Sequence, residues 1–182
     1  MEIHDKYVLL WGGVDVNPTY YGESPLPQTQ RSNIRRDVEE FLEVDKAFEN
    51  KKPVIGVCRG AQLLCVANGG KLFQHTEQHG GGHALVTKEG ALILQAAAGH
   101  HQVMNLEGTE HEVLAWAPFK TIVYNQEGRH ILERAPEVVY FPKTNSLACQ
   151  PHPEWETPKQ EFRKYIDKIV FDRFDLIDIF SH

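Results

Sequence analysis

In "KKPVIGVCRGAQLLCVANGGKLFQH" (51–75) a single cysteine stands between two glycines, directly after an apolar run and directly before a helical pattern. Gly56-Val57-Cys58-Arg59-Gly60 has the form G-x-C-x-G, the thiol counterpart of the G-x-S-x-G nucleophile elbow. A nucleophile on a sharp strand-to-helix turn sits in a strained backbone. A side chain two positions away on either side would collide with that turn, which is a physical reason for the glycines. The following helix points its positive N-terminus at Cys58 and favours the thiolate, against an unperturbed pKa of about 8.5. The bland reading is a buried cysteine at a strand end. The flanking strand and helix patterns favour the nucleophile.

A thiol nucleophile needs a base, and "CQPHPEWE" (149–156) supplies one. His152 follows an apolar run, in a loop restricted by Pro151 and Pro153. Glu154 can accept a hydrogen bond from one imidazole nitrogen and turn the other toward the thiol. Taken alone, His-Pro-Glu also suits a surface turn. The chemistry further requires donors for a developing oxyanion. The backbone N–H of Arg59 is one, and the glycine turn Gly12-Gly13 can supply another, because parallel strands of one sheet end on the same side.

The elements that must position these groups are legible as patterns. "KYVLLW" (6–11) and "PVIGV" (53–57) read as buried strands, "RRDVEEFLEVDKAFEN" (35–50) as an amphipathic helix, and "RGAQLLCVANGG" (59–70) as a helix stopped by glycines. "HALVT" (83–87), "HEVLAW" (111–116), "PEVVYF" (136–141) and "SLACQ" (146–150) read as strands, the last two joined by the turn "PKTN". The segment 14–30 reads as loop and 157–180 as one long helix. Strand–helix alternation predicts an α/β domain with a parallel sheet. The length of 182 residues, without linker or repeat, predicts one domain over 1–182.

Composition narrows the partners. The net charge is -6 and no basic stripe is present, which argues against nucleic acid. No apolar stretch approaches the ~20 residues of a membrane helix, and "MEIHDKYVLLWGG" does not read as a signal peptide. Cys65 and Cys149 read as small buried hydrophobes in a reducing compartment, so a cytoplasmic location is expected. His75, His79 and His83 sit four apart, with His100 and His101 later. The segment lacks the glutamate placement of H-E-x-x-H, and Gly80-Gly81-Gly82 would break a helix carrying it. These histidines are therefore read as solvated or hydrogen-bonded loop residues, and no metal is expected.

The ordered blocks "LLWGGVDVNPTYYGE", "PVIGVCRGAQLLCVANGGKLFQH", "GHHQVMN" and "ACQPHPEW" resemble the class I (triad) glutamine amidotransferase superfamily, nearest its γ-glutamyl-γ-aminobutyrate hydrolase-like branch. The resemblance implies a flavodoxin-like core. It implies a nucleophile at Cys58, a base at His152, an orienting carboxylate at Glu154, and oxyanion donors at Gly13 and Arg59. It further implies substrate contacts at Gly12, Gln62, His101 and Gln102. The implied reaction is attack of Cys58 on a γ-glutamyl amide, release of an amine or ammonia, and hydrolysis of the glutamyl thioester, with no cofactor.

Two departures stand out. Members of the branch carry further strands before the glycine motif, which here begins about a dozen residues from the start. The strand at Tyr7–Trp11 is therefore expected to have its edge covered by self-association, by another chain or by a rearranged segment of this one. Residues 117–135 match no block. Three functions follow: a standalone γ-glutamyl amide hydrolase, a glutaminase subunit feeding ammonia to a partner synthase, and a non-catalytic scaffold on the same fold. The aromatics Trp11, Tyr20, Tyr21 and Trp155 suit packing as well as a substrate pocket.

Overall fold

The runs "VLL" and "VIGV" carry no polar side chain on either face, as befits strands covered from both sides. The computed structural model, which describes residues 1–30, 33–157 and 159–181, places them near the centre of a sheet. The first half of the chain forms β1 (Glu2–Ile3), β2 (Val8–Leu10), α1 (Ile34–Glu49), β3 (Val54–Val57), α2 (Arg59–Ala67), β4 (Lys71–Phe73), β5 (His75–Thr76), β6 (His83–Thr87) and β7 (Leu92–Ala96). The second half forms β8 (Val103–Asn105), β9 (Glu112–Ala117), β10 (Thr121–Asn125), β11 (Gly128–Leu132), β12 (Ala135–Phe141), β13 (Ser146–Cys149) and α3 (Glu161–Phe174). Among the described residues the main sheet runs β1-β2-β3-β13-β12-β9-β6-β7, with smaller sheets β11-β10-β5 and β4-β8.

The α/β architecture is the expected one, with its parallel centre in β2, β3 and β13. Leu10 lies opposite Gly56 and Cys149 opposite Val57. The segments that follow these strands carry Gly12-Gly13, Cys58 and His152, and all three leave the sheet at one edge. Alternation splits the side chains between two cores. Leu9, Ile55, Val57, Leu147 and Cys149 cluster with Phe162, Ile166 and Val170 of α3. Val8, Leu10, Val54 and Ala148 cluster with Val44 of α1 and Leu63 and Leu64 of α2.

Beyond β13 the sheet continues antiparallel through β12, β9, β6 and β7. The unplaced segment 117–135 forms the β10–β11 hairpin, with Asn125 opposite Gly128. Helix α3 is shorter than its sequence pattern. Asp175 takes a left-handed conformation at φ 54°, and the chain then turns back to bury Leu176, Ile179 and Phe180. The apolar spacing beyond Phe174 serves that return, and Pro158, within the predicted helix, lies outside the described residues. At the sheet edge, β1 folds back on β2, with Glu2 opposite Leu9 and Ile3 opposite Val8. A segment of the chain itself thus takes up pairing that the sequence left open.

The placement of α2 depends on two glycines. A Cβ on Gly56 would lie 2.4 Å from the Gly60 carbonyl oxygen, and one on Gly60 would lie 2.4 Å from the Leu10 carbonyl oxygen. Both obstacles are backbone, so neither can swing aside. Gly60→Ala is expected to lower unfolding free energy by about 3 kcal/mol, the upper part of the overpacking range. Gly80→Ala, which meets nothing within 4 Å, should leave it nearly unchanged. Chemical denaturation of the two variants checks this.

Candidate active site

Cys58 joins β3 to α2 with φ 52° and ψ -108°, a conformation L-residues rarely adopt and one costing of the order of ~1–3 kcal/mol. Its N–H donates to the Cys149 carbonyl at 2.8 Å, tying the turn to β13. The residue is only 7% exposed. Burial pushes the thiol up to about 12, against the opposing pull of the Arg59 backbone N–H, while Glu154, Asp15 and Glu137 raise it further. Desolvation therefore outweighs the helix N-terminus, and the expected bias toward thiolate is not realised. Burial of this kind favours S–H over thiolate at neutral pH.

His152 lies in the loop after β13. Its Nδ1–H donates to Glu154 Oε1 at 2.7 Å, and its backbone N–H donates to the Ala97 carbonyl at 2.7 Å. Pro153 begins a short 3₁₀ turn, Pro153–Trp155, that brings Glu154 back to Nδ1 of the ring. The Trp155 indole stacks on the imidazole with centroids 3.5 Å apart and planes 1° from parallel. Glu156 accepts from the Ala97 N–H at 2.8 Å and from the Arg163 N–H at 3.2 Å. The His152 loop is thereby bound to residue 97 and to the start of α3. Ala97, Glu156 and the stacking role of Trp155 escape sequence reasoning, since no local pattern marks these contacts.

Gly12 brings the two groups together. A Cβ there would lie 3.1 Å from His152 Cε1, 3.5 Å from Cys58 Cβ and 3.9 Å from Cys58 Sγ. Gly13 has φ 153°, and a Cβ on it would lie 2.3 Å from Arg36 Nη1. Arg36 Nη2 donates to the Trp11 and Gly12 carbonyls at 3.1 and 3.2 Å. In a trans peptide the N–H points away from the C=O, so this clamp also sets the direction of the Gly13 N–H. The clamp is itself held. Arg36 Nε donates to Glu40 Oε1 at 2.9 Å, and Glu40 with Asp37 binds the buried guanidinium of Arg59. Asp37 also accepts from the Asn17 N–H at 3.2 Å. The acids that marked the start of an amphipathic helix are thus partly interior groups serving the elbow.

The remaining candidates divide. Gln62 is buried on α2, one turn beyond Cys58, and its N–H donates to the Cys58 carbonyl at 3.1 Å. His101 bonds Asp15 Oδ1 through Nε2 at 3.0 Å, and that carboxylate holds the imidazole above its ordinary pKa against the effect of burial. Gln102 is fully buried, its side chain donating to the Gln74 carbonyl at 3.4 Å, so its amide is turned into the protein. Tyr21 is buried, Tyr20 stacks on Phe41, and Trp11 donates to Glu2 Oε1 at 2.7 Å. These three contribute packing. Of the two readings of the loop histidines, solvated or hydrogen-bonded, the structure favours the second at 79 and 100, which are buried and bond Thr121 Oγ1 and the Gln102 carbonyl. With His83 they gather around Glu137 in the interior.

The protonated resting thiol predicts a distinctive alkylation profile. The iodoacetamide rate at Cys58, taken as wild type minus Cys58→Ala, should climb through the alkaline range with no inflection near about 8.5. An acidic or neutral inflection would instead reveal a preformed thiolate.

Comparison with known proteins agrees with this architecture. The peptidase C26 family matches residues 2–121. The glutamine amidotransferase-like protein YvdE of Lactococcus lactis is 31% identical over 96% of this chain and 74% of its own length. The γ-glutamyl-γ-aminobutyrate hydrolase PuuD of Escherichia coli K12 is 26% identical over 88% of this chain and 66% of its own. A glutamine amidotransferase from Thermotoga maritima superposes with TM-score 0.52 and 13% identity, over 98% of this chain and 91% of that one, and shares the fold. With a parallel centre of this kind, a strained strand-to-helix turn at Cys58 and a family match over most of its length, the chain belongs to the peptidase C26 family and has a glutamine amidotransferase-like fold.

Proposed function

We propose that this protein hydrolyses γ-glutamyl amide bonds with Cys58 as nucleophile, His152 as general base and Glu154 as the carboxylate that orients it. The observation that carries this reading is Gly12, whose missing side chain leaves room between the Cys58 thiol and the His152 ring while Glu154 holds Nδ1. Because Nδ1 is the committed donor, Nε2 is the basic nitrogen.

His152 Nε2 takes the Sγ proton as sulfur attacks the γ-carbonyl carbon. The backbone N–H groups of Gly13 and Arg59 receive the oxyanion. As the C–N bond breaks, His152 returns the proton to the departing amine, leaving a glutamyl thioester. Water then gives a proton to His152 and its oxygen to the acyl carbon, and Cys58 leaves with the proton restored. Glutamate and an amine, or ammonia, are the products. Gln62 and His101 are assigned to holding the glutamyl group, and the active protein is assigned to the cytoplasm.

The likeness to PuuD supports a substituted γ-glutamyl amine as substrate, and the likeness to YvdE supports glutamine itself. Glutamate release from glutamine, γ-glutamyl-GABA, γ-glutamyl-putrescine and γ-glutamyl dipeptides separates these. Turnover of a substituted amide well above glutamine is expected. Cys58→Ala should abolish it, and Glu154→Gln should lower kcat by roughly 10²–10⁴-fold. A folded protein inert toward the whole panel would sink the hydrolase reading in favour of a partner-dependent glutaminase or a scaffold.

A further inference from the structure

The main sheet holds a second cluster of chemistry-bearing side chains that hydrolysis does not use. We propose that His79, His83, His100 and Glu137 form a closed, four-ligand structural site for a divalent metal ion with the preferences of zinc. The proposal is independent of the hydrolase reading. It replaces the sequence-based expectation of no metal.

The four ligands come from separate parts of the chain. His79 precedes the glycine turn at 80–82, His83 opens β6, His100 precedes β8, and Glu137 lies in β12. Glu137 is the residue passed over where the β12–β9 register shifts, between Pro136 opposite Trp116 and Val138 opposite Ala115. A bulge of this kind re-aims a side chain. One ligand atom from each residue lies within 4.8 Å of all the others. His79 Nδ1 and His83 Nε2 stand 3.0 and 3.3 Å from Glu137 Oε1, and His100 Nε2 stands 3.5 Å from Oε2. A tetrahedron with metal–ligand bonds of about 2.0–2.1 Å has edges of about 3.3–3.4 Å.

Proton positions strengthen the case. His100 Nδ1 lies 2.9 Å from the Gln102 carbonyl, which can only accept, so Nδ1 carries the hydrogen. The Nε2 of neutral His100 is then a bare lone pair facing a carboxylate. His79 repeats the arrangement. Its Nε2 lies 3.2 Å from Thr121 Oγ1, and that hydroxyl donates to the Phe119 carbonyl, leaving His79 Nδ1 bare. His79 Nδ1, His83 Nε2, His100 Nε2 and both Glu137 oxygens lack a hydrogen-bond partner among the described residues. Their separations are short, yet poorly directed for hydrogen bonds. A cation at the centre satisfies them together. Protons alone would need a buried array of imidazoliums around one carboxylate. The outward hydrogen bonds of His79 and His100 are the kind that fix metal-binding imidazoles.

His79 and Glu137 are fully buried, so the site has no open position and its role is structural. Its reach extends to the catalytic cleft. His100 belongs to the segment whose Ala97 bonds the backbone of His152 and the carboxylate of Glu156, and whose His101 bonds Asp15. A metal there anchors the support of the His152 loop.

The test is metal analysis of the full chain purified without chelator, followed by stripping and titration with Co²⁺ and Zn²⁺. About one zinc per chain is expected, with the intense visible bands of tetrahedral cobalt in the reloaded protein. Zinc about 100-fold above its Kd should raise the melting temperature by roughly 5–10 °C. His83→Ala and Glu137→Gln should lose both signals. If stripped, folded wild-type protein shows neither cobalt bands nor a zinc-dependent melting shift, the cluster is a protonated histidine–carboxylate group and the proposal fails. It fails equally if both variants bind like wild type.

Discussion

The close approach of α2 to the parallel strands is the constraint on which this molecule depends. Gly56 and Gly60 let the first turn of the helix lie against the backbones of β2 and β3. That contact forces Cys58 into its positive-φ turn, where the Cys149 carbonyl holds it. The parallel register does the rest. With Leu10, Gly56 and Ala148 brought level across three strands, the glycine turn, the Cys58 turn and the histidine loop converge without any long excursion of the chain.

Around that constraint the protein buries charge. Arg59 is almost fully enclosed between Asp37 and Glu40, while Arg36 joins Glu40 to the carbonyls of Trp11 and Gly12. Removing one partner from a buried network of this kind leaves an uncompensated charge, at a cost of about 3–5 kcal/mol. The network therefore couples α1, α2 and the glycine turn into one unit. The same enclosure keeps Cys58 protonated.

The other half of the sheet has a different logic. Its strands are antiparallel and partly exposed, and at the Glu137 bulge they carry a buried carboxylate inward. The β10–β11 hairpin and β5 cover that region, with Thr121 contacting His79 and Ile122 receiving the Thr76 hydroxyl. Both sites meet at residues 97–102. Backbone bonds from that segment support His152, and His100 turns toward Glu137.

Local pattern was enough for the parallel centre and the elbow. Strands buried on both faces must be uninterrupted apolar runs, as at 8–10 and 54–57, and a strained turn against packed backbone must have glycine on both sides. The His-Pro-Glu spacing likewise confined Nδ1 of His152 to its own neighbour. β7, the β10–β11 hairpin and the end of α3 were not legible. Half-exposed strands lack a continuous apolar run, and the apolar residues after Phe174 fit a helix as well as the return they make. Only the tertiary structure decided what the histidines do. Only His79 and His83 share a short spacing; a turn, a strand start, a loop and a bulge bring the four residues together. It also decided the state of the thiol, since desolvation depends on everything packed around Cys58 and not on the helix that follows it.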